Sequence, residues 1–330
     1  MNTRTISERR RKGSALLTVL WFSAALGAIA FSLANTVRGE TERTTTALEG
    51  VRSYYLATGA VERALLYLQW GPSFRLPDGS FRYYTPGNPL LPLSFPSGEA
   101  LVEIVPESAK INVNSVRPEE LFRLLLYLGA EPERAREIAL GIVDWRSPAP
   151  GPTAFDQHYL SLAPSFRARH ASFEEIEELL LIKGMTPELF HGTYERDAEG
   201  RLAPRAGLKD CLTVYGAGGQ FDVNTVEPAV LAAVGISPDV IAAIVQARRV
   251  APFRSGAQLA AFLQGARPLL NRLRVGGNSI LTLRATARLR LPNGELSDQR
   301  RSVAAVVKLN PEGFEDPYHT LRWYDNVWVR

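Results

Sequence analysis

From Ser14 to Val37 the chain carries no charge, reading SALLTVLWFSAALGAIAFSLANTV. As a helix this run is roughly 36 Å long, enough to cross a bilayer core. The pattern then becomes one-sided. Leu48, Val51, Tyr54, Ala57, Val61, Ala64 and Leu68 recur every three or four residues, and no proline follows the run before Pro72. That spacing makes one apolar face. Together the two patterns predict one long helix over residues 14–70, with its second half packed on a globular head. Gly27, Gly39, Gly50 and Gly59 are points where it can bend. Trp70 to Gly98 is rich in proline, glycine and aromatics, which predicts an irregular surface loop.

Further on, the period changes to two. Glu99–Val105 and Ser279–Leu291 alternate apolar and polar residues, and Arg301–Leu309 follows as a further strand pattern after the turn residues Pro292-Asn293-Gly294. These predict an antiparallel sheet, the last two strands as a hairpin. The first of these strands ends at Val105 and the second begins only at Ser279, so a domain must be inserted between them. Within it a pattern repeats. Ile111-Asn112-Val113-Asn114-Ser115-Val116 precedes Pro118 and a helix Glu119–Leu128; Phe221-Asp222-Val223-Asn224-Thr225-Val226 precedes Pro228 and a helix Ala229–Val234. In each, Asn and Ser/Thr are placed to cap the helix, with proline in its first turn. Gly129 and Gly235 end these helices, and second helices follow through Ala135–Trp145 and Pro238–Arg249. Phe173–Met185 reads as a further helix closing into a hairpin at Gly184. Such repetition predicts two small helical bundles.

Charge sharpens the reading of the N-terminus. The whole chain carries +4, and the stretch Met1–Gly13 alone carries +4, from Arg4, Arg9, Arg10, Arg11 and Lys12 against Glu8. The remainder is therefore close to neutral, so the basic balance reports a cytoplasmic flank rather than a nucleic-acid surface. The positive-inside rule puts the body outside the cytoplasm. A single cysteine, Cys211, forms no intrachain disulfide and identifies no compartment. An ordinary secretory signal has a shorter apolar run with a small-residue cleavage site at its far end. Here Gly13 lies before the run, straight after the basic cluster.

RRRKG followed by SALLTVLWF resembles the type III signal of prepilins and pseudopilins. The resemblance implies cleavage after Gly13 by a prepilin peptidase and methylation of the new N-terminus at Ser14. Most members carry Glu at the fifth mature position; here it is Thr18. That Glu neutralises a neighbouring subunit's N-terminal ammonium inside the membrane, where a lone charge is costly. A subunit with no neighbour ahead of it has no such need, so Thr18 points to the filament tip. In order and spacing, RRRKGSALLTVLW, INVNSVRPEELFRLL, ALGIVDWR, SFEEIEELLLIKGMTPELF and FDVNTVEPAVLAA resemble the protein K minor pseudopilins of type II secretion over nearly the whole chain.

That resemblance implies an α+β fold: a long membrane and stalk helix, a pilin-like antiparallel head, and a large all-α insert with two helix-hairpin-helix or SAM-like repeats. The expected segments are a cytoplasmic leader 1–13, the membrane and stalk helix 14–70, the first part of the head 71–110, the insert 111–270 with repeats near 111–205 and 221–270, and the final strands 271–330. It implies a single-pass inner-membrane protein with a cytoplasmic N-terminus and a periplasmic body. Implied partners are the minor pseudopilins I and J, the pseudopilus, the inner-membrane secretion platform and the prepilin peptidase. The role is structural, in building and capping the pseudopilus, rather than catalytic.

Some members bind calcium in the insert after the DW motif, where six to eight oxygen ligands are needed. Asp144 and Asp156 remain here as candidate ligands, but Arg146–Pro152 between them has no carboxylate, and Phe155 stands where the family has Glu. Two readings stay open, a calcium site or a loop stiffened by its prolines without metal, and no other cofactor is indicated. His158, His170, His191 and His319 form no metal motif such as HExxH, and Cys211 reads as an unreactive core thiol. Gly216-Ala217-Gly218-Gly219 reads as a connection between the helical modules, and the aromatics Tyr318, Trp323, Tyr324 and Trp328 as packing for the head or for a neighbouring subunit. The rival reading is a membrane-anchored, extracytoplasmic helix-hairpin-helix protein that binds DNA. Arg248, Arg249 and Arg254 are compatible with it; Glu174, Glu175, Glu177 and Glu178 beside the LIKGMT hairpin, and the neutral body, disfavour it.

Overall fold

In the computed structural model, which describes residues 5–71, 73–85, 87–196, 200–216, 219–276, 279–311 and 313–327, the chain forms two units, up to Tyr55 and from Leu56 onward. The first unit is the N-terminal part of one helix, α1 (Thr5–Trp70). The sequence places the helix start at Ser14; the structure carries it back to Thr5, through the basic leader. Arg, Lys and Glu are good helix formers, and Gly13 costs only about 1 kcal/mol in a helix interior. Met1–Arg4 lie outside the described residues. The apolar side chains of the run, from Leu16 to Val37, are exposed. Leu48 and Val51 are exposed as well; the buried stripe of α1 is Leu56, Ala57, Ala60, Val61, Ala64 and Leu65.

After α1 the second unit enters a sheet through β1 (Leu90–Phe95) and β2 (Gly98–Pro106). The chain then leaves for the insert. Its first part holds β3 (Ile111–Asn112), α2 (Pro118–Tyr127), α3 (Pro132–Arg146) and α4 (Ala154–Leu160), then a 3-10 turn at Ile176–Leu181. There follow α5 (Pro187–His191), a hairpin of β4 (Thr193–Arg196) and β5 (Leu202–Arg205), α6 (Leu208–Cys211) and β6 (Leu212–Thr213). The second part holds β7 (Phe221–Asp222), α7 (Pro228–Ala233), α8 (Pro238–Val250), α9 (Gly256–Phe262) and β8 (Leu273–Arg274). Each part closes on itself by a short parallel pairing, β3 with β6 and β7 with β8. The chain returns to the sheet as β9 (Ile280–Leu289), β10 (Arg301–Leu309) and β11 (Tyr318–Tyr324).

The sheet has five strands in the order β1-β2-β9-β10-β11, antiparallel throughout. Alternation is plain along β9, where Leu281, Leu283, Ala285 and Ala287 are buried and their neighbours half-buried. Gly98 sits tightly between the neighbouring strand and the helix: a Cβ there would collide with the Arg288 carbonyl and the Leu56 side chain. Two strands differ from the sequence expectation. β1 lies inside the segment read as an irregular loop, because Pro92 breaks its pattern although Leu91 and Leu93 are buried. β11 takes the aromatics Tyr318, Trp323 and Tyr324 into the sheet edge; Trp328 lies outside the described residues.

The insert leaves and re-enters at one point, because Pro106 at the end of β2 stands opposite Leu281 at the start of β9. Glu107 follows Pro106 and is buried, 3% exposed. Its carboxylate accepts hydrogen bonds from the hydroxyls of Thr282 on β9 and Thr213 on β6, and pairs with Lys110 at 3.0 Å. The same side chain therefore ties sheet to insert. Burial alone would raise its pKa; the Lys110 charge and the two threonine hydroxyls outweigh that and hold it below the ordinary carboxylate range.

Two expectations follow. Leu283 is fully buried and Leu101 is 41% exposed, so Leu283→Ala should cost about 2–5 kcal/mol and Leu101→Ala under about 1 kcal/mol. Denaturant unfolding of the full chain in detergent measures both, and equal costs would contradict the sheet's facing. A folded-state pKa below the unfolded one contributes stability above the unfolded value, about 4.3 for Glu, and loses it as pH falls through the folded value. The thermal-stability advantage of the wild type over Glu107→Gln should thus hold from pH 5 to 7 and narrow below about pH 4.3. A gap that stays constant on acidification would count against the clasp.

Candidate functional site

Gly13 and Ser14 lie within α1. One turn on, the Thr18 hydroxyl donates to the Ala15 carbonyl at 3.0 Å, so the position carries a neutral group turned onto its own helix backbone. Among the described residues, α1 is the one helix long and apolar enough to cross a membrane, which fits a single-pass anchor.

The insert is built twice on one plan. Asn114 holds the Phe173 backbone from both sides: its amide donates to the Phe173 carbonyl at 3.0 Å and its carbonyl accepts from the Phe173 N–H at 2.7 Å. Asn224 does the same with Phe253, at 3.0 and 2.8 Å. Arg146 at the end of α3 donates to the carbonyls of Val113 and Val116; Arg248 on α8 donates to those of Val223 and Val226. The two halves meet through α2 and α7, where the Arg123 guanidinium donates to the Ala233 carbonyl at 2.8 Å. The sequence predicts these asparagines as helix caps; in the structure they fasten a distant strand-like segment instead. The residues ahead of α2 and α7 are Arg117 and Glu227, with Pro118 and Pro228 in the first turn as expected. Gly129 and Gly235 take φ of +82° and +89° to end those helices.

The two copies differ in one segment. Between Arg248 and Ala251 in the second copy only Arg249 and Val250 intervene; between Arg146 and Ala171 in the first stands the whole of Ser147–His170. This extra segment contains Asp156, and Asp144 lies just ahead of it. Asp156 is buried and saturated: Oδ1 accepts from the Ala168 N–H, and Oδ2 from the Thr153 N–H at 3.0 Å and the His170 ring Nε2 at 2.8 Å. Asp144 Oδ2 accepts from the Thr153 hydroxyl at 3.1 Å. On the other side of the His170 ring, Nδ1 faces the carbonyls of Asp144 and Ser147 at 3.2 and 3.1 Å. Burial pushes the Asp156 carboxyl up, and its hydrogen bonds from Thr153, His170 and Ala168 bring it below the ordinary value. The Asp156 hydrogen bond leads in raising the His170 pKa.

This arrangement does not fit calcium. The site has two carboxylates where six to eight oxygens are needed, and those of Asp156 already hold two amides and an imidazole. Among the described residues no group of three His, Cys, Asp or Glu side chains is placed to share a metal. His170 is the residue that sequence reading misses. Four histidines without a motif carry no signal, and the partners of this one come together only after folding.

The Gly184 hairpin is the place to look for phosphate binding. Phe173–Met185 is not the α-helix expected but a 3-10 turn, Ile176–Leu181, because Glu178 folds back to accept from the Glu174 and Glu175 N–H groups. Lys183 beside the hairpin is paired with Glu137 at 2.7 Å. Arg248 is committed to backbone carbonyls, and its burial lowers its pKa. Lys183 and Arg248 are thus engaged within the protein, while Arg249 and Arg254 are exposed. A cleft of about 450 Å³ separates the sheet from the insert, lined by Glu107, Glu177, Tyr215, Thr282 and Tyr324 and bridged by an Arg322–Glu175 pair at 2.7 Å. Cys211 is buried in the insert's core.

Comparison with known proteins agrees with this architecture. Residues 100–192 match the family described as Type II secretion system (T2SS), protein K. Type II secretion system protein K of Klebsiella pneumoniae is 25% identical over 235 residues, covering 66% of this chain and 68% of its own. A chain in the crystal structure of the GspK-GspI-GspJ complex from the enterotoxigenic Escherichia coli type 2 secretion system aligns with a TM-score of 0.55. That alignment covers 85% of this chain and 98% of the other at 17% identity, a likeness of fold. With the apolar N-terminal helix and the insert between neighbouring strands, these matches make the chain similar to type II secretion system protein K, in sequence over residues 100–192 matched by the family model and in fold over most of its length.

Proposed function

We propose that this chain is the subunit at the tip of the type II secretion pseudopilus, a structural component through which folded proteins are exported across the outer membrane. The observation that carries the reading is the pairing of the uncharged run Ser14–Val37 behind RRRKG with Thr18 at the fifth position after Gly13. Cleavage after Gly13 leaves the apolar segment on the mature chain with Ser14 as a methylated N-terminus. Thr18 offers no carboxylate to a subunit ahead of it, which suits a terminal position. By the positive-inside rule the basic leader favours a cytoplasmic N-terminus and a periplasmic body, with one anchor in the inner membrane. The fold shared with a chain of the GspK-GspI-GspJ complex supports minor pseudopilins I and J as partners. On this reading the doubled insert is a pair of helix-hairpin-helix-like modules kept for their packing rather than for nucleic acid; the Lys183–Glu137 pair and the inward-turned Arg248 favour that use. The prepilin peptidase and the inner-membrane platform are the other expected partners.

Intact mass and N-terminal sequencing of protein from hosts with and without prepilin peptidase test this directly. The expected mature chain begins at methylated Ser14 only when the peptidase is present, and then co-purifies with the minor pseudopilins I and J. An unprocessed chain, or one cut beyond the apolar run, would sink the pseudopilin role.

A further inference from the structure

The extra segment between Arg146 and Ala171 poses a packing problem that the second copy of the repeat does not have. In the second copy the chain passes from Arg248 to the Asn224–Phe253 clamp almost at once. In the first, Ser147–His170 leaves after Arg146 and must return to the equivalent Asn114–Phe173 clamp. Part of the solution is aromatic. Trp145 sits edge-on to Tyr159 with ring centroids 5.8 Å apart and stacks on Phe173 at 6.2 Å, and Tyr159 stacks on Phe166 at 5.0 Å. The other part is polar and converges on one ring. Carbonyls of Asp144 and Ser147 approach His170 from the side where the segment starts, and the Asp156 carboxylate from the side of α4. All three are oxygens, and the ring meets them from both of its nitrogens. His170 sits in the left-handed region at φ +49°, which carries the ring back over the start of the segment.

We propose that the His170 ring closes this segment, holding the Asp156 carboxylate from one nitrogen and the Asp144 and Ser147 carbonyls from the other, and that the insert is therefore closed without calcium. Two further features support this. The ring stands between the carbonyls, which face Nδ1, and the carboxylate, which faces Nε2, so it fills the space between these oxygens. The shallow cavity beside the ring, about 190 Å³, is lined by Ala149, Pro150, Pro152 and the cationic Arg167 as well as Asp156. A guanidinium at the rim opposes the approach of a divalent ion.

The test uses the full chain in detergent. Thermal unfolding followed by tryptophan fluorescence is compared in excess EDTA and in millimolar calcium chloride. Limited trypsinolysis at Arg167 and Arg169, read by mass spectrometry, reports closure of the segment itself. The expected results are one Tm in both buffers, calcium-independent protection of both arginines in the wild type, and cleavage there roughly tenfold faster in His170→Ala, with cleavage at Arg249 unchanged. A wild-type Tm raised by calcium, or tryptic cleavage at Arg167 slowed by it, would overturn the proposal. So would a His170→Ala chain cut at the wild-type rate. Should His170→Ala fail to fold, the wild-type metal comparison still decides, since it needs no variant.

Discussion

The architecture depends on one buried carboxylate. Inserting a whole domain between neighbouring strands of a sheet is tolerable only if the chain leaves and returns at the same place, and Pro106 opposite Leu281 meets that condition. Adjacency alone would leave the insert on two tethers. Glu107 adds a fixed joint, since its oxygens bind a threonine from the sheet and a threonine from the insert while Lys110 balances the charge. A carboxylate removed from water is costly unless every lone pair is used. Here the Lys110 charge and the two threonine hydroxyls together offset that cost. The joint thus favours one arrangement of insert on sheet over nearby alternatives.

Within the insert the same economy appears twice. An asparagine side chain imitates a strand neighbour for the Phe173 or Phe253 backbone, and an arginine gathers two carbonyls left open at the preceding turn. Backbone groups without secondary-structure partners must be satisfied somehow when buried. A short parallel pairing of two residues a side cannot do it alone. Side chains therefore complete the ladder. The guanidiniums so engaged serve the module's own backbone rather than its surface.

What the sequence made legible were features that depend on local period or on missing charge. The apolar run, the stripe Ala57–Val61–Ala64, the alternation along β9, and the doubled INVNSV and FDVNTV segments all belong to that class. Features that depend on partners far along the chain were not legible. β1 is a strand because β2 lies beside it, despite Pro92. β11 is a strand because β10 offers an edge, although four consecutive residues along it are exposed and show no alternation. By pattern, Glu178 is one of four solvated glutamates; in the fold it caps the turn and accepts from the Trp145 indole at 3.2 Å. Residue type picks out Asp144 and Asp156, but residue type alone could not show that a histidine 14 positions beyond Asp156 would take up its carboxylate.

On the proposed reading, the electrostatics of the N-terminus make assembly directional. A processed chain would begin with an ammonium at Ser14 inside apolar surroundings, where an unpaired charge is expensive. The chain offers no remedy of its own, because Ser14–Val37 is uncharged and Thr18 satisfies its hydroxyl on the Ala15 carbonyl. The ammonium must then find a carboxylate on another subunit, while this subunit has none to give in return. A filament of identical donors and acceptors can grow at either face, but a subunit that needs a partner on one side and offers nothing on the other can occupy only an end. Thr instead of Glu at one helical position is enough to make that difference, and α1 runs on through it.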